Sequence, residues 1–225
     1  MFISYDTYAE YTGAKPHAEQ ASILKEVFPE LKTYSEKLCD EPILPGSEGK
    51  FLIPDWRKIS PQYGAAVCKV IQKLAERRQV ENYRECQFSP KYIQQKPHSH
   101  VMWGELNIWQ TEFDIYVLDA QFGLRHREKS IYDVRVYRPE VHETVTEYLL
   151  GAYAGLIMLL THPERERSFE QVHPDFGGDE YAPYGDGVFT MATSSCFYQS
   201  KLQFYASVID QPRKSYGCIS GFLKA

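Results

Sequence analysis

The sequence predicts an α+β fold, an antiparallel sheet covered by two main helices with a helical N-terminal appendage, and three observations predict it. Apolar residues recur at helical spacing over 17–38, 61–79 and 139–161. They alternate with polar residues between 101 and 137. A connector rich in proline and glycine, 40–50, separates the first fifty residues from the remainder. The expected organisation is therefore a helical segment 1–50 and a main α+β domain 51–225, with a single domain overall as the alternative.

Within 17–38, Ile23, Leu24, Val27, Leu31, Tyr34 and Leu38 lie near helical spacing, with a break at Pro29. Ser60 before Pro61 is a good helix start, because the hydroxyl can accept an early backbone amide and proline fits the first turn. Val67, Val70, Ile71 and Leu74 form the inner stripe of that helix. Leu106 and Ile108, then Phe113, Ile115 and Val117, then Tyr132, Val134 and Val136 read as successive antiparallel strands, with 123–129 as a solvated hairpin tip. Pro139 opens the second covering helix, with Glu140, Glu143 and Glu147 near its positive end. Residues 162–187, dense in proline and glycine, read as a long loop of the kind that carries function. Short strands are expected over 188–193, 203–209 and 216–223, with 195–209 ambiguous between strand and helix.

The chain is 43% hydrophobic and 14% aromatic, enough to bury a sizeable core over 225 residues. Its five cysteines, Cys39, Cys68, Cys86, Cys196 and Cys218, are odd in number and widely spaced, which indicates neither a disulfide framework nor a thiolate zinc site. The first sixteen residues lack an apolar run of secretory length, and the greasiest stretch, 148–160, is too short to span a bilayer. A cytoplasmic protein with no membrane contact is expected.

Charge is unevenly placed. Residues 1–56 hold 5 basic against 10 acidic side chains, 57–101 hold 9 against 3, and 102–225 hold 11 against 17. The basic band comprises Arg57, Lys58, Lys69, Lys73, Arg77, Arg78, Arg84, Lys91 and Lys96, interleaved with Tyr63, Tyr83, Phe88 and Tyr92. Lys69, Lys73 and Arg77 recur every four residues and so share one helix flank. Mobile cations suit phosphates, and rings suit unpaired bases. The same mixture also suits docking onto an acidic protein, where arginine and tyrosine are favoured anchors.

Two short stretches bear on chemistry. His98, His100 and Glu105, with His142 further on, resemble the first metal motif of the cupin family, although the flanking glycines of that motif are missing. The resemblance implies a divalent metal held by these four residues in an enzyme acting on a small molecule. In one straight strand both histidines would face away from Glu105, so a turn near Gly104 is needed to bring them together. Tyr184, Gly185, Gly187 and Phe189, followed by Ser194 and Ser195, are similar to the glycine-flanked aromatic segment of ADP-ribosyltransferases. The glutamate those enzymes usually require downstream is absent, since no glutamate follows Glu180. Asp175, Asp179, Glu180 and Asp186 form no compact cation loop by their spacing. No P-loop, nucleophile elbow or HExxH signature occurs.

The leading expectation is a non-catalytic binding protein whose segment 57–100 contacts an anionic partner, nucleic acid or a nucleoprotein complex, through Arg57, Lys58, Lys69, Lys73, Arg77, Arg84, Lys91, Lys96, Tyr83 and Tyr92. No cofactor is expected on that reading. The alternatives are the metal-dependent enzyme and an adaptor or inhibitor that binds an acidic protein.

Overall fold

The computed structural model describes residues 11–82, 91–95, 113–136 and 144–224. In chain order the helices are α1 (His17–Val27), α2 (Glu36–Asp40), α3 (Trp56–Ile59), α4 (Tyr63–Ala75), α5 (Ile131–Val136) and α6 (Ala152–Thr161). The strands are β1 (Gly49–Pro54), β2 (Val80–Asn82), β3 (Ile93–Gln95), β4 (Ile115–Gln121), β5 (Val145–Leu149), β6 (His173–Tyr181), β7 (Met191–Tyr198), β8 (Lys201–Val208), β9 (Tyr216–Cys218) and β10 (Ser220–Lys224).

These strands form two sheets rather than one sheet under two helices, which corrects the expected architecture. The first is antiparallel, in the order β1-β4-β10-β5. The second is a curled, mixed sheet ordered β2-β8-β7-β6-β3, in which β9 adds parallel to β6 and β2 runs parallel to β8. Helix α6 lies between them, touching β1 of one sheet, β6 of the other, and both α1 and α4. All ten of its residues are buried, as expected for a helix that is apolar on every side. Gly155 permits this: a β-carbon there would collide with Phe176 and Ile219.

Helix α1 is no appendage. Leu24 is fully buried, and with Val27, Phe28 and Leu31 it joins the main core alongside Phe51 and Leu156. Helix α4 begins at Tyr63, after Gln62, while Ser60 closes the short α3.

Four further expectations are corrected. Residues 131–136 form α5 instead of a strand: Ile131 and Val134, three apart, are buried, while Tyr132 and Val136 are exposed, and the Ser130 hydroxyl accepts the Asp133 amide at 2.9 Å. The expected hairpin tip is instead a 3-10 turn over Leu124–His126 that buries His126. The expected helix 139–161 is divided. Val145–Leu149 is strand β5, its valine, threonine and tyrosine suiting a pleated edge, and extended Gly151 precedes α6. Finally, the expected loop 162–187 contains β6, buried on both faces. Residues 195–209 form a hairpin, β7 to β8, turning at Gln199 and Ser200 with φ of 48° and 63°. Leu106 and Ile108 lie outside the described residues. Among those described, no helix is long and apolar enough to cross a membrane.

Candidate functional site

Helices α4 and α6 both end at the same place, and the segments that follow them carry arginines there. Ala75 ends α4, and the amides of Arg77 and Arg78 fold back onto Leu74 O at 3.0 and 2.9 Å. Thr161 ends α6, where the His162 amide donates to Met158 O and the His162 Nε2 accepts the Lys15 amide at 2.9 Å. Burial holds the His162 imidazole down to about 4, so it is neutral in this role. The following segment, 163–172, is stapled to itself: Arg167 N–H donates to Gln171 Oε1 at 2.8 Å and Arg165 donates to Val172 O at 3.2 Å.

Between these ends lies a cleft of about 600 Å³, open to solvent, lined by Ile23, Leu74, Leu159, Leu160, Pro163 and Phe197 with Arg77, Arg78 and Arg167. Cations are favoured here electrostatically, because the carbonyl ends of two helices carry partial negative charge. Arg78 is the informative member. Its guanidinium donates to Arg165 O at 3.2 Å and to Glu166 O, and lies 5.9 Å from the Phe197 ring centre. Those bonds use two of its five N–H donors. Burial lowers its pKa, an effect that the nearby Glu166 charge opposes. No carboxylate among the described residues forms an ion pair with it. Arg77 sits at the rim and pairs with exposed Glu26 at 2.6 Å, while Arg167 donates to Pro163 O at 2.9 Å.

Among the remaining cations expected to bind a partner, Arg57, Lys58, Lys69 and Lys73 are paired with carboxylates. Arg57 donates to both Asp55 oxygens at 2.9 and 3.1 Å, which raises its pKa. Lys58 lies 3.4 Å from Asp114, and Lys69 lies 4.0 Å from Glu30 while donating to Ile59 O at 3.1 Å. Lys73 pairs with Glu76 at 2.9 Å. Lys91 is exposed on the turn before β3. The Tyr92 ring packs 6.5 Å from that of Tyr181, against the backbone of Gly185. Tyr83, Arg84, Lys96, His98, His100, Glu105 and His142 lie outside the described residues. Among the described residues, no group of three or more His, Cys, Asp or Glu side chains could hold a metal ion.

Of the acidic residues of the supposed loop, Asp175, Asp179 and Glu180 lie on β6, while Asp186 stays in an exposed turn. Asp175 accepts from Ser194 at 2.6 Å and from Arg213. Asp179 accepts the Tyr63 hydroxyl at 2.8 and 2.9 Å and the Ala152 amide at 2.7 Å, capping α6. Burial pushes its carboxyl up to about 7, the amide and hydroxyl offsetting only part of that. Ser194 and Ser195, from the glycine-flanked segment, are fully buried on β7, while Tyr184 is 85% exposed.

Sequence reasoning missed Arg167 and Phe197 in the cleft lining and the Arg165 and Glu166 carbonyls that hold Arg78. The signal available was the alternation of charge at Glu164, Arg165, Glu166 and Arg167 directly after a wholly apolar helix. Compared with known proteins, the chain matches no family model, no curated protein and no solved structure.

Proposed function

We propose that the protein is a non-catalytic binding protein that receives an acidic segment of another protein in the cleft at the ends of α4 and α6. The observation that carries this is Arg78, a largely buried cation balanced by carbonyls and a ring, with donors still available, on an apolar floor. An acidic side chain placed there gains a charge-assisted hydrogen bond, and its apolar neighbours gain the walls of Leu74, Leu159, Leu160 and Phe197. Such a concave, apolar, arginine-bearing site suits a peptide better than a phosphate backbone. A nucleic-acid groove calls for a row of mobile cations and for rings on which bases can stack. Lys69, Lys73 and Arg77 already face Glu30, Glu76 and Glu26, and Tyr63 and Tyr92 pack internally. The cytoplasm is the compartment this reading assigns, on an odd number of widely spaced cysteines.

Fluorescence anisotropy tests the reading with two probes, a labelled peptide of alternating glutamate and leucine and a single-stranded oligonucleotide. The peptide is expected to bind saturably and to lose at least about tenfold in affinity in R78Q, the scale of one charge-assisted hydrogen bond. Tighter binding of the oligonucleotide, or equal peptide affinity in R78Q, overturns the proposal.

A further inference from the structure

Glu166 combines two unfavourable features at one residue. It is fully buried, and its φ of 53° places a side chain with a β-carbon in the left-handed region. A buried carboxylate and a left-handed non-glycine backbone are each costly, and they persist together only where the surroundings over-determine them. Here they do. The Ser195 hydroxyl of β7 donates to Glu166 Oε2 at 2.7 Å, and His173 Nδ1 at the start of β6 lies 3.3 Å from Oε1. The carboxylate thus fastens the 163–172 segment to both strands.

The consequence falls on Arg78. The carbonyls of Arg165 and Glu166 are the two groups that hold its guanidinium, and the next residue, Arg167, lines the cleft. Turning Glu166 out of its left-handed conformation would swing its own carbonyl away from Arg78. The Glu166 charge also favours the cationic form of Arg78 against burial. Arg165 is fixed separately, with its guanidinium 4.7 Å from the Phe122 ring and 5.2 Å from that of Tyr11. Glu166 therefore fastens the residue whose own carbonyl holds Arg78, next to the cleft-lining Arg167.

We infer that Glu166 is the positioning residue of the cleft, through which β6 and β7 set the Arg78 guanidinium toward an incoming acidic side chain. This rests on the binding reading above, and the test separates the two. It combines anisotropy of the labelled glutamate–leucine peptide with the NMR signal of the Arg78 Nε–H, assigned by its loss in R78Q. Both are recorded for E166Q and S195A, and the affinities are measured again with R78Q added to each.

Removing the charge in E166Q is expected to weaken the peptide about tenfold and to shift the Arg78 signal, while S195A, which deletes one hydroxyl donor, weakens it about threefold. In the R78Q background each change should alter affinity less than about twofold, because residues that act through one another are not additive. A loss of the same size with and without R78Q, or an unmoved Arg78 signal in both variants, overturns the inference. S195A carries the test alone if E166Q does not fold. Absence of peptide binding to the unaltered protein sinks the binding reading, and the Arg78 signal then decides the role of Glu166 by itself.

Discussion

Along the flank of α4, Lys69, Lys73 and Arg77 meet Glu30, Glu76 and Glu26 at 4.0, 2.9 and 2.6 Å. One residue further on, Arg78 meets two backbone carbonyls and an aromatic ring. These residues are of like type and nearly adjacent in sequence, yet their charges are balanced differently. On the flank, charge is cancelled by charge in pairs that stand in solvent and contribute little. At the helix end, charge is hydrogen-bonded by neutral carbonyls and paired directly with no carboxylate among the described residues, which leaves donors where a ligand can reach them. A count of positive residues cannot separate the two cases, because it does not see what each side chain touches.

The same distinction divides the buried carboxylates, and there it has its largest expected effect. Asp179 is hydrogen-bonded by dipoles, the Tyr63 hydroxyl and the Ala152 amide, with the Arg135 charge a smaller influence, and burial raises its carboxyl to about 7. A carboxyl raised above its unfolded value stabilises the fold at low pH, and that contribution is lost as pH rises through the folded value. The advantage of D179N over the unaltered protein in urea denaturation should therefore grow from about pH 4 to about pH 7 and then level off. Its size is up to roughly 4 kcal/mol, from the three-unit shift. A difference that is flat with pH would remove Asp179 from the set of dipole-held charges.

Glu147 supplies the opposite sign. Burial alone would raise it, but His126 Nε2 at 2.7 Å, the Ser220 hydroxyl at 2.5 Å and Arg125 at 3.0 Å together hold its carboxyl below the usual range. Its contribution is present above the unfolded value and is lost as pH falls through the folded one. E147Q should cost about 1–3 kcal/mol near neutral pH, with the deficit shrinking below about pH 4. Equal destabilisation at pH 3 and pH 7, followed by fluorescence in urea, would break this half of the comparison. The smallest effect belongs to the flank: K73A should change unfolding free energy by less than about 0.5 kcal/mol, because its partner Glu76 is exposed. A larger change in a thermal melt would mean that the flank pairs are structural.

How much of this was legible follows from where each signal resides. Helix α4 was readable because it is amphipathic, with Val67, Val70, Ile71 and Leu74 on one side. Strand β6 was not. It is covered on both faces, so it shows no alternation, and it contains Pro174, Gly177 and Gly178, which read locally as a loop. The structure supplies the reason for one of these glycines: a β-carbon on Gly178 would lie 2.6 Å from the Gly151 nitrogen and the Leu150 carbonyl carbon. Helix α6 was half readable, its apolar run plain but its start misplaced, because the cap that begins it is Asp179, far along the chain. Arg78 stood in the basic band as one cation among nine. What distinguishes it is a bond to a carbonyl 87 residues away, which no local pattern encodes.

The account turns on the claim that the cation at the end of α4 is available to a ligand while those on its flank are not. Isothermal titration of the glutamate–leucine peptide into R78Q and into the double variant K69A/K73A, side by side, tests this most directly. The account predicts at least about a tenfold loss in R78Q and less than about a twofold change in the double variant. A loss in K69A/K73A equal to or greater than that in R78Q would contradict it.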